Sequence, residues 1–447
     1  MYRILLLGAG RTAHFFVNDI LQSAVKNNWH LRVGDFLQTS LESLPSKSEQ
    51  FSKLLFDVKN EQQVEKEVRE ADLVVSLLPA QFHYVVASKC IQFGSHFLSA
   101  SYVSDEFKAA AEEIKDKGLI FIKEVGLDPG LDHMSAMQML DEIRDKGGEI
   151  MRFLSYTGGL MSPDLKGNPW QYKFTWNPMY VVTAGRDGGI YLRRGKTKRI
   201  PYHRLFKEID ELAIPDHGDF DAYYNRDSLK YIKEYKLQKV ESVIRYTLRR
   251  KGFCEAWAQL VSLGLTDNNF IFNLNEPITN REFLNMFIRR GEGTLEERVE
   301  KATGKSQESE VFKKLQWLGL FDNVPIKMLN GTSAQFLEQI IMPKWQMDVN
   351  DKDAIYMAHV CYYKLNNKVY KRKSYLAVEG LDTEQTAMAK TVGLPLAAAV
   401  KQVALGTFNE PGLHIPTAKN LYDPILKSLR KSGIQFYEVE EEVKDLD

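Results

Sequence analysis

Apolar and polar residues along this chain fall into blocks that switch between a period suited to strands and one suited to helices. Residues 3–7, Arg-Ile-Leu-Leu-Leu, are an apolar run of strand length, and behind it Phe15, Phe16, Ile20, Leu21, Ala24 and Val25 recur at helical spacing. The exchange repeats. Strands are predicted at 30–33, 54–58, 72–79, 96–100 and 119–122, with a charged helix at about 61–70 and another at about 82–92. The strand at 72–79 is almost continuously apolar, as a strand buried on both faces of a parallel sheet must be. Alternating β and α with short connections predicts the α/β class, a doubly wound parallel sheet of the Rossmann kind.

The first strand ends in Gly8-Ala9-Gly10-Arg11-Thr12-Ala13. Gly8 permits a tight turn, Gly10 removes a side chain where a pyrophosphate must approach, and Ala13 lets the helix pack closely on the strand. The helix N-terminus, opening at Arg11 and Thr12, offers unpaired N–H groups to the anion. Glycine turns also end strands for purely structural reasons, so context decides. Asp35 follows the second strand, 25 residues after Gly10, near where a carboxylate accepts hydrogen bonds from an adenosine ribose. It would repel a 2′-phosphate, which argues for NAD over NADP; the plain alternative is a solvated loop aspartate. Ser76, Leu77 and Leu78, at the carboxyl end of strand 72–79, should border the cofactor.

Residues 123–134, Lys-Glu-Val-Gly-Leu-Asp-Pro-Gly-Leu-Asp-His-Met, form the hinge of the chain. A strand feeds this stretch, and a helix marked by Leu131, Met134, Met137, Leu140 and Ile143 leaves it. A turn rich in Gly, Asp and Pro at a strand's carboxyl end is where chemistry is expected. Asp128, just before Pro129, reads equally as a cap of that helix or as a ligand contact. His133, one turn in, reads as a structural residue.

From about residue 149 the pattern turns aromatic and β-branched, punctuated by Gly and Pro, with β-like segments at 153–159 and 172–178: a mixed-sheet α+β domain. The basic cluster Arg193, Arg194, Lys196, Lys198 and Arg199 reads as a solvated hairpin. Arg226, in Asn-Arg-Asp-Ser, and Arg245 and Arg249, in the run 244–252, are of more interest because guanidinium groups clamp carboxylates. Spacing alone does not choose among them. Helices follow at 254–263, 280–290, 295–303 and 308–318, the signature of a lid or assembly module. Strands return at 353–364 and 368–379. An Ala-rich helix at 383–405, interrupted at Gly393 and Pro395, is expected to return to cover the first sheet.

Composition narrows the class. A chain of 447 residues holds two or three domains. Lys plus Arg equals Asp plus Glu at 59 each, so no net field favours nucleic acid or an anionic membrane. Cys90, Cys254 and Cys361 are too far apart for a disulfide framework or a zinc module, and no metal site is expected. The chain opens directly into a strand, and no apolar run reaches the ~18 residues of a membrane span. A soluble cytoplasmic protein is expected.

Taken together, Gly8–Ala13, Leu73–Pro79, Ala100-Ser-Tyr-Val-Ser104, Gly126-Leu-Asp-Pro-Gly-Leu-Asp-His133, Leu154–Leu160, Asn168-Pro169, Tyr172-Lys-Phe-Thr-Trp176, Asn225–Ser228, Thr247-Leu-Arg249, Lys251-Gly252 and Ala387–Lys390 resemble the saccharopine reductases. These are the glutamate-forming saccharopine dehydrogenases of lysine metabolism, and the resemblance spans essentially the whole chain. It implies three parts: a Rossmann domain at 1–126 and 383–447, a substrate domain at 127–250 and 325–382, and a helical insertion at 251–324.

The implied reaction oxidises the secondary amine of saccharopine to an imine, whose hydrolysis gives glutamate and 2-aminoadipate 6-semialdehyde. In family terms Ser101, Tyr102 and Asp128 contact saccharopine. Arg226 and the 247–249 segment, with Thr247 and Arg249, bind its carboxylates, Arg245 being a further candidate. Leu127 and Trp176 border the cofactor. Asp128 and Tyr102 are the catalytic candidates, with Glu124 or a water as a proton relay.

Two departures matter. Thr157 stands where members commonly carry a cysteine, which weakens any thiol role. Asp35 stands near where fungal members carry an arginine suited to NADP, so NAD is expected, with NADP second. A homodimer is compatible with the resemblance. The rival readings are a related carbon–nitrogen oxidoreductase such as carboxynorspermidine synthase, and a non-catalytic dinucleotide-binding scaffold.

Overall fold

The apolar runs of the first 122 residues become strands of one parallel sheet. In the computed structural model, which describes residues 1–163 and 165–444, these are β1 (Tyr2–Leu7), β2 (Trp29–Asp35), β3 (Phe51–Leu55), β4 (Leu73–Ser76), β5 (His96–Ser99) and β6 (Ile120–Ile122). A short strand, Gly412–His414, adds to β6, and the order is this strand, then β6-β5-β4-β1-β2-β3. The strand pairs are parallel. The chain runs outward from β1 through β2 to β3, then crosses to β4, so the order reverses between β1 and β4. Beyond the carboxyl ends of those two strands lies the crevice where such sheets bind ligands.

The third strand lies at 51–55, not 54–58. It is an edge strand that pairs Phe51 with Leu31 and sets Ser52 and Lys53 in a half-buried row, so its start is polar in sequence. The C-terminal helix differs too. It runs unbroken as Ala387–Ala404 through Gly393 and Pro395, and the Thr386 hydroxyl accepts from Ala389 N–H to start it. Packing on helix α1 (Arg11–Asn27) overrides the breakers: a Cβ at Gly393 would sit 2.7 Å from the Thr12 carbonyl oxygen.

Met1–Glu149 and Val378–Tyr437 form one compact unit. The boundary near 149, rather than 126, follows from the helix Leu131–Asp145, which packs on the helix Lys419–Lys431. The second unit is Ile150–Ala377 with the C-terminal strand, which leaves the first unit because it joins the second sheet.

That sheet is mixed. Its strands include β7 (Glu149–Met161), β8 (Gly189–Arg193), β9 (Lys196–Ile200), β10 (Asp210–Ile214), β11 (Gly218–Tyr224), β12 (Arg226–Asp227) and β13 (Ser242–Arg250). The order is β10-β11-β13-β7, then Asp353–Leu365, Lys368–Glu379 and Tyr437–Val443, with β8, β9 and β12 branching beside β13. β7 is parallel to β13 and β11 antiparallel to it. The β8–β9 pair is the basic hairpin.

Helices Phe253–Leu263, Asn280–Met286, Leu295–Thr303 and Glu310–Trp317 share one apolar core with this sheet, centred on Trp170, Trp257 and Trp345. The second of these is shorter than its predicted span of 280–290. Residues 172–177 form no strand. Tyr172 and Phe174 pack edge-on against Trp345, Phe174 N–H donates to the Trp345 carbonyl, and Asn177 caps the short helix Pro178–Val182. Their alternation is that of buried aromatics in an irregular segment. Among the described residues no helix is long and apolar enough to cross a membrane.

Candidate functional site

The glycine turn after β1 has the conformation its sequence asks for. Gly8 has φ +104°, and a Cβ there would lie 3.0 Å from the Leu77 carbonyl, so the turn is pressed against the end of β4. Gly10 precedes α1, and a Cβ there would meet nothing within 4 Å. Helix α1 starts without a side-chain cap and without an acidic residue in its first turn. Arg11 is exposed and Thr12 half-buried there. An open, uncapped N-terminus of a 17-residue helix fits a pyrophosphate.

Asp35 is not a solvated loop residue. Its Oδ2 accepts from Ala9 N–H at 2.7 Å and its Oδ1 from Leu37 N–H at 2.8 Å, tying the end of β2 to the glycine turn. No Lys or Arg occurs between Gly34 and Ser46. Ser76 is buried at the end of β4, with Leu77 and Leu78 half-buried beyond it. These residues fit an adenosine dinucleotide.

Asp128 does not cap the following helix. Gly130 occupies that position, and the Asp132 carboxylate accepts from Gly130 N–H at 2.6 Å. The loop closes on itself through Gly126 N–H to the Pro129 carbonyl, Leu131 N–H to Gly126 and Asp132 N–H to Leu127. A Cβ at Gly126 would lie 2.9 Å from Ala100 Cβ, so only glycine lets this loop sit against the end of β5. That closeness brings Tyr102 and Asp128 together. The phenol donates to Asp128 Oδ1 at 3.0 Å, and both residues are half-buried. Leu127 is buried beside them.

Beneath the pair lies a polar layer that sequence reading missed. His83 is buried between two serine hydroxyls, with Nδ1 2.8 Å from Ser76 Oγ and Nε2 2.7 Å from Ser101 Oγ. Burial, reinforced by the Lys123 charge, pushes its pKa down to about 3, so the ring is neutral. Lys123 is fully buried, donates to Ser99 Oγ at 2.9 Å and lies 4.3 Å from the centroid of the Phe107 ring. Burial pushes its pKa down to about 7 against the pull of Glu124. The signal was present in sequence: a charged pair, Lys123-Glu124, inside the otherwise apolar run 119–125. His133 is buried with Nε2 2.8 Å from Glu124 Oε2.

In the second unit, Arg245, Thr247 and Arg249 alternate along β13 and so share a face, the outer two roughly 13 Å apart at strand rise. Arg245 is buried over the Tyr231 ring, and its backbone holds the 225–228 segment through Asn225 N–H to its carbonyl and its N–H to Ser228 Oγ. Arg226 stands exposed on β12 with φ +48°. Trp176 is 47% exposed and stacks on Tyr180. Thr157 is buried on β7, opposite Thr247.

Arg249 stands apart. It is buried, no carboxylate pairs with it among the described residues, and its guanidinium lies 5.1 to 5.5 Å from the rings of Tyr172, Tyr223 and Phe253. One Nη donates to the Leu248 carbonyl, while Nε has no partner. The buried Tyr172 hydroxyl also lacks a hydrogen-bond partner. Burial pushes its pKa up, so it keeps a proton to donate. Buried donors without acceptors are costly, and a cation among them fits an anionic ligand.

The chain matches two family models in succession: the saccharopine dehydrogenase NADP binding domain over residues 4–122 and the saccharopine dehydrogenase C-terminal domain over 126–434. It is 32% identical to the saccharopine dehydrogenase [NADP(+), L-glutamate-forming] of Saccharomyces cerevisiae over 447 aligned residues, covering 97% of this chain and 98% of that protein. Against the enzyme of the same name from Schizosaccharomyces pombe it is 30% identical, covering both chains fully. It is 31% identical to the mitochondrial alpha-aminoadipic semialdehyde synthase of Bos taurus, of which it covers 47%.

The apo S. cerevisiae saccharopine dehydrogenase (L-Glu forming) has a similar structure, with a TM-score of 0.88, 29% identity and coverage of 99% of this chain and 100% of that one. A homospermidine synthase from Legionella pneumophila, at a TM-score of 0.55 and 10% identity, shares the fold alone. With both units matched in order and relatives of equal length at this identity, the chain belongs to the saccharopine dehydrogenase (L-glutamate-forming) family of NAD(P)-binding oxidoreductases.

Proposed function

We propose that this protein oxidises saccharopine at the carbon that becomes C6 of 2-aminoadipate 6-semialdehyde, releasing L-glutamate, with NAD preferred over NADP. The observation that carries the reading is the Tyr102–Asp128 pair at the carboxyl edge of the parallel sheet. Gly8, Gly10, Arg11 and Thr12 would hold the pyrophosphate, Asp35 the adenosine ribose, and Ser76 to Leu78 with Leu127 the nicotinamide half. A bound nicotinamide would supply the hydride acceptor.

The chain's own residues would do the rest. The substrate ammonium would first lose one proton to water; a carboxylate has about four acceptor sites, so Asp128 can take the remaining N–H while keeping the Tyr102 bond. As the C–N bond gains double-bond character, positive charge grows on nitrogen, and the Asp128 carboxylate stabilises it. Water then adds to the imine carbon and the glutamate amine departs. Saccharopine carries carboxylates at both ends, and an arginine-bearing face suits such a ligand. Arg249 with Tyr172, Thr247, Arg245 and Arg226 are the proposed partners. Ser101 would contact the substrate from the β5 loop.

Preference for NAD rests on the Asp35 carboxylate and the absence of a cation in residues 34–46. Relatives named above carry NADP(+) in their names, so a direct comparison of the two cofactors bears on this point. A substrate panel tests the reaction. Turnover of saccharopine, with none of carboxynorspermidine under the same conditions, supports the reading; the reverse pattern defeats it in favour of a polyamine-forming relative.

A further inference from the structure

The Tyr102-bearing loop is bracketed by a single residue outside it. Glu124 is buried just past β6. Its backbone N–H donates to the Ser101 carbonyl at 3.2 Å, and its Oε1 accepts from Val103 N–H at 2.9 Å. The two contacts fall on either side of Tyr102. The second carboxylate oxygen accepts from His133, which is fully buried one turn into the helix Leu131–Asp145. The Asp128 loop is closed onto the start of that same helix through Leu131 and Asp132 N–H. One carboxylate therefore references both members of the Tyr102–Asp128 pair, one through the loop after β5 and the other through the helix.

The backbone argues that this arrangement is held on purpose rather than by default. Glu124 has φ +60°, a left-handed conformation disfavoured for any residue but glycine and its short polar substitutes, and one that persists only where the surroundings over-determine it. A buried carboxylate in that conformation is a poor space-filler. It is a good clamp, because its N–H and its carboxylate both reach the same loop.

We propose that Glu124, held by His133, is a positioning residue that fixes the Tyr102 hydroxyl against Asp128 for the amine chemistry. The proposal rests on the reaction assigned above. It gives Glu124 a hydrogen-bonding role in place of a proton relay, and it gives His133 the task of orienting the carboxylate.

Four variants test it: Glu124→Gly, which removes the side chain and accepts the left-handed backbone; Glu124→Gln, which keeps an acceptor for Val103 and donates its amide to the other tautomer of His133; Tyr102→Phe; and Tyr102→Phe combined with Glu124→Gly. The expected result is a fall in kcat of about tenfold to a hundredfold for Glu124→Gly, the cost of a misplaced reacting group, with little change in the KM for NAD. Glu124→Gln restores most of the rate. Because the residues act as a unit, Glu124→Gly costs less than about threefold in the Tyr102→Phe background.

Amide exchange at Val103 provides a readout independent of turnover: it accelerates in Glu124→Gly and stays protected in Glu124→Gln. An equal loss in both backgrounds, or Val103 exchange unchanged in Glu124→Gly, overturns the proposal. A wild-type protein inactive on saccharopine would instead overturn the assigned reaction, while Val103 exchange still decides whether Glu124 clamps the loop.

Discussion

The Tyr102 hydroxyl donates to Asp128 Oδ1 at 3.0 Å across two turns that follow different strands, and it reaches because Gly126 packs its missing side chain against Ala100. The pair brings a donor and a carboxylate to one point at the edge of the sheet. Hydrogen bonds to a charged group contribute about 1.5–3 kcal/mol. Tyr102→Phe should therefore lower kcat/KM for saccharopine roughly tenfold to a hundredfold, with the fold intact by circular dichroism. A variant with wild-type kinetics would remove Tyr102 from the chemistry.

Arg249 offers a test that separates binding from stability. A structural arginine stabilises; a buried guanidinium without a carboxylate is held against a desolvation cost that a ligand offsets. Arg249→Met should raise the KM for saccharopine on the order of a hundredfold, the scale of truncating one partner of a buried charge pair. Its urea midpoint should stay level or rise. A lower midpoint with an unchanged KM would make Arg249 a packing residue.

Asp35 is the proposed determinant of cofactor choice. Asp35→Ser removes the charge that would meet a 2′-phosphate and keeps a hydroxyl for Ala9 N–H. The ratio of kcat/KM for NAD over NADP should fall by about tenfold, a differential set by one lost repulsion. An unchanged ratio would place cofactor choice elsewhere.

His83 predicts a pH dependence of stability. Its pKa is about 3 in the folded chain against 6.5 for an exposed histidine, so the unfolded state binds the proton more tightly. The stability from keeping it neutral is fully present above pH 6.5 and is lost as the pH falls toward 3. His83→Gln, which is neutral throughout and can bond both serines, should show a shallower loss of urea midpoint between pH 7 and pH 4.5. Parallel profiles for the two proteins would contradict a neutral, buried His83.

Much of this was legible in sequence, for identifiable reasons. The strands expected at 72–79 and 96–100 were found, though they end earlier, at Ser76 and Ser99, because their mainly apolar runs are bounded by turn residues and local pattern agrees with burial. The pattern failed where tertiary contacts decide. Tyr172 and Phe174 alternate like strand residues yet serve Trp345. Asp128 sits where a cap would, but Gly130 takes that place once the loop closes on Gly126. The strand Gly412–His414 is three residues long, too short to show a period. His83 lay on the apolar face of an ordinary helix, and its role depends on serines 7 and 18 residues away.

The proposed reaction fixes a stoichiometry that one experiment reads. Purified protein with saccharopine and NAD, followed by absorbance of the reduced cofactor and by chromatography of the amino acids, should yield one glutamate and one 2-aminoadipate 6-semialdehyde for each NAD reduced. Saccharopine left unchanged with either NAD or NADP, or a reduced cofactor formed without glutamate, would contradict the account.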